Sequence, residues 1–84
     1  MLRGLGLAVR ERREQRRLSQ ASLASALGVA RQRIGALERG QLNPRYELLV
    51  ALADALGVQV GELVSRAEAL AHERVEPGEP PQAR

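Results

Sequence analysis

The amino-acid sequence predicts an all-α protein built from five short helices. Apolar residues recur at intervals of three and four along most of the chain, which is the period of a helix with one buried face. Glycine or proline separates the apolar stretches, and no alternating run typical of a strand is present. A chain of 84 residues is long enough for one small domain. At that size about 60–65% of the unfolded surface is buried on folding, so stability depends on close helix packing.

The first two helices are predicted in the N-terminal third of the chain. Leu5 and Val9 start an amphipathic pattern that continues through the stretch RERREQRR to about Arg17. Ser19 offers a side-chain oxygen that can cap the N-terminus of a second helix. Gly28 ends that helix, because glycine adopts the left-handed backbone that follows many helix C-termini.

The third and fourth helices are separated by a glycine and a proline. The third helix is predicted to begin near Ala30 or Arg31 and to end at Arg39. Pro44 disfavours helical backbone at the residue before it, so the fourth helix starts after this proline. Gly57 ends the fourth helix in the same way as Gly28 ends the second.

A fifth helix is predicted from about Gly61, with its apolar residues on one side. Three of them form a seam at helical spacing: Leu63, Ala67 and Leu70. We interpret this seam as a contact with a second subunit, and intrachain packing on the fourth helix is the alternative. We assign residues 1–74 to the helical domain. Residues 75–84 hold proline, glycine and charge, and we predict a disordered tail there.

Composition restricts the kinds of site that the chain can form. It contains no cysteine, which excludes disulfides and thiolate metal sites and is typical of a reducing cytoplasm. His72 is the single histidine, so we expect no histidine-based metal or acid–base cluster and no cofactor. No apolar run approaches the roughly 20 residues that span a bilayer. The first residues lack the features of a secretory signal, and we predict a cytoplasmic protein without membrane contact.

Positive charge is concentrated in the first half of the chain. Residues 1–45 hold ten arginines against three glutamates, whereas residues 46–84 hold three arginines against seven acidic residues. A strongly basic half indicates a polyanionic partner such as nucleic acid. From charge alone, a solvated surface with uneven charge is the alternative.

The third helix combines a buried side with an unusual outer side. At about 100° per residue, Ala30, Ile34 and Leu37 fall within one narrow arc that faces the core. The other side, here called the outer face, holds two small residues among long hydrogen-bonding ones. Gly35, Ala36, Gln32 and Arg39 lie opposite the buried arc, and Arg31 and Arg33 lie on the two flanks. Small residues allow close approach to another surface, and arginine and glutamine make bidentate hydrogen bonds with guanine and adenine. An ordinary solvated helix is the alternative.

The spacing across the second and third helices matches a helix-turn-helix arrangement. Counting Gln20 as first, apolar side chains stand at the fourth, eighth, tenth, fifteenth and eighteenth places. Ala24 at the fifth place lets the helices touch, and Gly28 at the ninth permits a tight turn. With LLVALADALGV downstream, the sequence resembles the lambda-repressor-like, Cro-type (XRE-type) helix-turn-helix family over roughly residues 5–65.

This resemblance implies a five-helix domain whose third helix enters the DNA major groove, usually as part of a two-fold dimer. By position, it implies base readout by Arg31, Gln32, Gly35 and Ala36. It implies contacts to the DNA backbone, or mixed contacts, by Gln20, Arg33, Asn43 and Arg45. Three residues depart from the side chains that usually open helices in the family: Ser22, Ala30 and Arg45.

One arginine of the first helix continues the core-facing line of that helix. Leu5, Val9 and Arg13 are spaced by four, and Glu38 lies beside the buried arc of the third helix. We predict a structural ion pair between Arg13 and Glu38, which the resemblance also implies. The alternative is an Arg13 stem that packs on the core while its charge stays in water. The other arginines of this stretch are interpreted as a solvated face: Arg10, Arg12, Arg16 and Arg17.

These inferences lead to a sequence-specific regulator of transcription that binds double-stranded DNA, a repressor acting as a homodimer on a near-palindromic operator. The alternatives are an antitoxin that regulates its own operon and binds a toxin, or an adaptor that kept the fold and lost DNA binding. An enzyme is not expected, because Glu47, Asp54 and Glu62 have no partner nucleophile, base or phosphate loop. DNA binding would place the protein at the nucleoid.

Overall fold

The structure, a computed structural model, describes residues 2–73. This part of the chain contains no strand and folds into five α-helices, which confirms the predicted fold class. The helices are α1 (Leu2–Gln15), α2 (Gln20–Leu27), α3 (Arg31–Glu38), α4 (Tyr46–Leu56) and α5 (Val60–Glu73). The tail predicted for residues 75–84 lies outside the described residues.

The first helix begins earlier than the apolar pattern predicts, and two glycines explain why it can. A Cβ atom added to Gly4 would collide with the carbonyl oxygen of Ala67, and one added to Gly6 would lie 2.5 Å from the carbonyl oxygens of Leu37 and Glu38. Glycine has low helix propensity, so the sequence pattern gave no sign of helix here. The missing side chains let α1 approach the backbones of both α3 and α5.

The core is made of aliphatic side chains from all five helices. The buried apolar residues are Leu5, Ala8, Val9, Leu23, Ala24, Ile34, Leu37, Leu52, Ala53, Leu56, Leu63 and Ala67. Leu63 and Ala67 are therefore inside the protomer, where α5 packs on α1, and Leu70 packs partly buried against the same core. The interpretation of this seam as a subunit contact is wrong for Leu63 and Ala67, which are buried inside the protomer, whereas Leu70 is only half-buried.

The ends of α2 explain how the chain turns into α3 within three residues. Ser19 caps α2, its hydroxyl accepting a hydrogen bond from the backbone N–H of Ser22 at 2.9 Å. Gly28 adopts φ 69°, a left-handed conformation that glycine takes without steric cost. Ala24, which is 2% exposed, lets the two helices meet closely.

The turn between α4 and α5 changes the helix direction by 95°. It is made at Gly57, whose φ is 73°. Among residues 2–73, no single helix is long and apolar enough to cross a membrane, and α4 with α5 meets the length and composition only as this bent pair.

Candidate nucleic-acid interface

The first three residues of α3 form an exposed row of hydrogen-bonding side chains. Arg31, Gln32 and Arg33 are all exposed, whereas Ile34 and Leu37 on the opposite side are 1% and 0% exposed. Because the inner side is locked in the core, the orientation of the helix about its own axis is fixed. The outer face therefore presents cations and an amide to solvent in one defined arrangement.

A buried ion pair connects the last residue of α3 to α1. The Arg13 guanidinium donates from Nε to Glu38 Oε2 at 2.6 Å and from Nη2 to Glu38 Oε1 at 3.1 Å. The side chains of Arg13 and Glu38 are only 11% and 4% exposed. The hydrogen bond to Glu38 raises the pKa of Arg13 above its usual value, although burial acts in the opposite direction. Arg13 Nη1 also donates to the carbonyl of Leu18 at 2.8 Å.

Hydrogen bonds continue from this ion pair to the outer face of α3. Gln20 donates from Nε2 to Glu38 Oε1 at 3.0 Å, and Arg31 donates from Nη1 to Gln20 Oε1 at 3.2 Å. A carboxylate only accepts hydrogen bonds, so Glu38 fixes the orientation of the Gln20 amide. The Gln20 oxygen consequently points towards Arg31, and the first residue of α2 holds the first residue of α3.

Gly35 lies on the outer face as predicted but is not exposed. A Cβ atom at this position would be 3.1 Å from Arg39 Nη1 and 3.8 Å from Gln20 Oε1, so the ends of these two side chains cover the glycine. Ala36 is half-buried. The sequence predicted the direction in which Gly35 faces and missed its cover, although Arg39 stands one turn later at a spacing of four.

The remaining residues implied to contact the DNA backbone lie between α3 and α4. Asn43 and Arg45 are both exposed, and Arg45 is the N-cap residue of α4 with an extended backbone. The Arg45 side chain makes no capping hydrogen bond, so its charge is not used to start the helix. These two residues are thus available at the surface close to the end of α3 in the sequence.

Arg12 of α1 and Arg16, in the turn after it, make contacts that the sequence did not predict. Arg12 Nε donates to the carbonyl of Leu56 at 3.1 Å, and Arg16 Nη1 reaches the same oxygen at 3.5 Å. Leu56 is the last residue of α4, where carbonyl groups have no partner within the helix and a positive charge is favourable. Arg12 is half-buried, so its interpretation as part of a solvated face is wrong, whereas Arg16 is exposed as predicted. Arg10 pairs with Glu14 at the surface.

Comparison with protein families and curated sequences gives consistent matches. The helix-turn-helix family model matches residues 9–63, which include α2 and α3. The immunity repressor protein of Bacillus phage phi105 is 32% identical over 72 residues, covering 86% of this chain and 50% of the relative. The cryptic phage CTXphi transcriptional repressor RstR of Vibrio cholerae is 37% identical over 60 residues, covering 71% and 54%. The chain thus spans about half the length of these two curated relatives.

Solved structures with the same arrangement of helices are also regulators by name. The clp gene regulator ClgR of Corynebacterium glutamicum has a TM-score of 0.82 and 32% identity, covering 86% of this chain and 78% of that one. The restriction-modification controller protein C.AhdI of Aeromonas hydrophila has a TM-score of 0.71 and 39% identity, covering 74% and 94%. The names of these proteins and of the curated relatives favour a regulator over an enzyme. The chain belongs to the XRE-type helix-turn-helix family, as the spacing of its second and third helices predicted.

Proposed function

We propose that the protein is a sequence-specific transcriptional repressor that inserts α3 into the major groove of double-stranded DNA. The observation that carries this proposal is the exposed row Arg31, Gln32 and Arg33 on a helix whose opposite side is buried. Direct readout needs side chains with paired donors and acceptors held in a fixed orientation. The hydrogen bonds from Glu38 through Gln20 to Arg31 supply that orientation.

The outer face divides into residues that contact bases and residues that contact the DNA backbone. Arg31 and Gln32 are assigned to guanine and adenine edges, the bases that their side chains match. Gly35 and Ala36 contribute by their small size: Ala36 allows the helix to approach the bases, and Gly35 makes room for the Arg39 side chain that covers it. The proposed contacts to the backbone, or mixed contacts, come from Gln20, Arg33, Asn43 and Arg45.

Gln20 acts mainly through Arg31 in this proposal. Its amide nitrogen donates to Glu38 and its oxygen accepts from Arg31. The remaining amide hydrogen can donate to a phosphate oxygen, because each Gln nitrogen carries two hydrogens. Gln20 therefore links a backbone contact to a base contact, and it ties both to the buried ion pair.

The repressor is proposed to act as a homodimer on a near-palindromic operator. One small domain buries less surface on DNA than specific binding usually needs, and two-fold dimers place equal half-sites about 34 Å apart. Because the seam on α5 is buried within the protomer, another surface has to join the two subunits. The exposed large hydrophobic side chains of the described residues are Tyr46 and Val50, at 68% and 39% exposure.

We assign the subunit contact to this face of α4, with a second copy of the chain as the partner. Tyr46 and Val50 are one helical turn apart, so they form one patch. If two α4 helices pack antiparallel about Val50, Asp54 of each subunit lies beside the N-terminal turn of the other α4. A helix N-terminus carries partial positive charge and attracts a carboxylate, which favours self-association. Val50→Glu should give a monomer by sedimentation equilibrium, and an unmodified protein that is monomeric at all concentrations would contradict this assignment.

The test of the proposed function is selection of bound sequences from a random duplex library, with binding repeated at low and physiological salt. The proposal predicts an enriched, near-palindromic sequence and affinity that falls steeply with salt as arginines displace counterions. Salt-sensitive binding without any enriched sequence would contradict base readout. Capture of a protein such as a toxin would then be the function to examine.

A further inference from the structure

Two residues of α3 and the C-cap residue that follows it form a stripe with a glycine at its centre. Arg31, Gly35 and Arg39 are spaced by four, so they lie on one side of the helix. Arg39 follows the last helical residue, yet its side chain folds back by one turn and Nη1 lies over Gly35. Gln20 Oε1 lies 3.8 Å from where a Cβ of Gly35 would be. The absence of a Cβ at Gly35 therefore lets the Arg39 guanidinium lie closer to the helix than a side chain there would allow.

The Arg39 guanidinium is held at one end and free at the other. Its Nε donates to Gln41 Oε1 at 3.2 Å. An arginine has five N–H donors, and among residues 2–73 no acceptor is hydrogen-bonded to Nη1 or Nη2 of Arg39. The side chain is exposed. A positioned guanidinium with four unused donors is suited to a pair of acceptor atoms on a ligand.

We propose that Arg39 is a second base-reading arginine of α3, seated by the space at Gly35 and held by Gln41. This inference rests on the proposed function and extends its set of specificity residues. The acceptor pair that fits the fork of a guanidinium in the major groove is O6 and N7 of guanine. A phosphate group offers the same chemistry of paired acceptor oxygens, and the test below separates the two.

The position of Arg39 at the end of the helix explains why the direction of its side chain matters. The Cα atoms of Arg31 and Arg39 are separated by eight residues, or about 12 Å along the helix axis at 1.5 Å per residue. In helix-turn-helix complexes the N-terminal residues of the recognition helix contact base edges. By lying over Gly35, the Arg39 guanidinium moves from the C-terminal end of α3 towards the part of the helix that faces the bases.

The test compares the affinities of four variants for the selected operator and for its single-base-pair variants. Arg39→Ala removes the guanidinium, and Arg39→Lys keeps the charge but not the fork. Gly35→Ala places a Cβ 3.1 Å from Nη1 and pushes the guanidinium away from the helix, and the fourth variant combines Gly35→Ala with Arg39→Ala. Each melting temperature is measured as a folding control. Gly35→Ala should melt no lower than the unmodified protein, because the nearest atom is the end of a flexible side chain and alanine favours helix.

We expect Arg39→Ala and Arg39→Lys to weaken operator binding by about 5- to 150-fold and to remove the preference at one G·C pair. Gly35→Ala should weaken binding at the same base pair, and it should add little once Arg39 is alanine. Uniform weakening across all duplexes, with Arg39→Lys retaining affinity, would assign the contact to phosphate and overturn base readout by Arg39.

Two further outcomes would overturn the inference. If Gly35→Ala weakens binding equally with and without Arg39, the glycine acts by close approach to DNA and does not seat the arginine. If Arg39→Ala binds like the unmodified protein, which itself selects an operator, only the role of Arg39 fails. A protein that selects no sequence at all would overturn both this inference and the proposed function.

Discussion

The arginines of α1 and those on the outer face of α3 have opposite surroundings, although both groups stand in short, highly charged stretches of sequence. Arg12, Arg13 and Arg16 of the first stretch donate hydrogen bonds to acceptors elsewhere in the chain, on α4, on α3 and in the turn after α1. Arg31 and Arg33 are exposed, and neither pairs with an acidic group among the described residues.

This difference shows that the acceptors near an arginine decide its role. The C-terminal carbonyl of α4 and the buried carboxylate of Glu38 lie within reach of α1, so its arginines hold helices together. The outer face of α3 offers only the amide oxygens of Gln20 and Gln41 to its arginines. Its positive charge remains available to an anionic partner. Substitutions in the two groups should therefore affect different measurements.

The largest effect is expected from removing the carboxylate that joins the two regions. Glu38→Ala leaves Arg13 buried without its partner and releases Gln20, and breaking a buried pair costs about 3–5 kcal/mol of unfolding free energy. Urea denaturation measures this loss. Glu14→Ala is the matched control, because the exposed Arg10–Glu14 pair should contribute no more than about 1 kcal/mol. Equal stability of the two variants would contradict a structural role for the buried pair.

The second largest effect is expected from a substitution in α3, and it should appear as a loss of affinity for DNA. Arg31→Ala is expected to weaken operator affinity by about 1–3 kcal/mol and to relax the preference at one base pair. Its unfolding free energy should stay within about 0.5 kcal/mol of the unmodified protein, because the side chain is exposed. Fluorescence anisotropy and urea denaturation give the two values. A stability loss larger than the affinity loss would place Arg31 with the arginines of α1.

A smaller effect, on stability alone, is expected from an arginine of α1. Arg12→Ala removes a hydrogen bond to the last carbonyl of α4 and should lower the unfolding free energy by about 1 kcal/mol. Affinity for the operator, measured where the protein is fully folded, should barely change. Arg10→Ala removes the same charge without that hydrogen bond and serves as the control. Equal weakening of DNA binding by both variants, with stability unaffected, would contradict this prediction. The arginines of the first helix would then act through their positive charge on the DNA.

The smallest effect is expected at the end of α1, where a substitution should raise the unfolding free energy and not lower it. Arg17 is the one non-glycine residue with positive φ in the described part of the chain, at 58°. Arg17→Gly should stabilise the fold by about 0.5–1 kcal/mol, because glycine takes this conformation without steric strain. The greater freedom of glycine in the unfolded chain offsets part of the gain. Arg17→Ala retains the strain and should show no gain, and a destabilised Arg17→Gly would contradict this explanation.

The fold and the ends of α2 and α4 follow from local signals in the sequence. Ser19 and Gly28 were predicted from capping chemistry and turn geometry, and the structure places both in those roles. The start of α1 was missed, because Gly4 and Gly6 are favourable only through contacts with α5 and α3. A local pattern does not contain those contacts.

The candidate site, like the fold, was predicted only in part from the sequence. The residues that form the exposed row of α3 follow from helical periodicity. The cover over Gly35 depends on which way the Arg39 side chain turns, and the contact of Arg12 with Leu56 joins residues 44 apart in the chain. Such contacts are set by the packing of whole helices, so the sequence alone did not separate structural arginines from available ones.

The most direct test of base readout by α3 is the affinity of two charge-matched variants for the selected operator and for its single-base-pair variants, at one salt concentration. The proposed function predicts that Arg31→Ala loses its preference at one base pair, while Arg10→Ala keeps the full preference of the unmodified protein. Equal weakening of both variants on every duplex would contradict it, because α3 would then contribute charge without reading sequence.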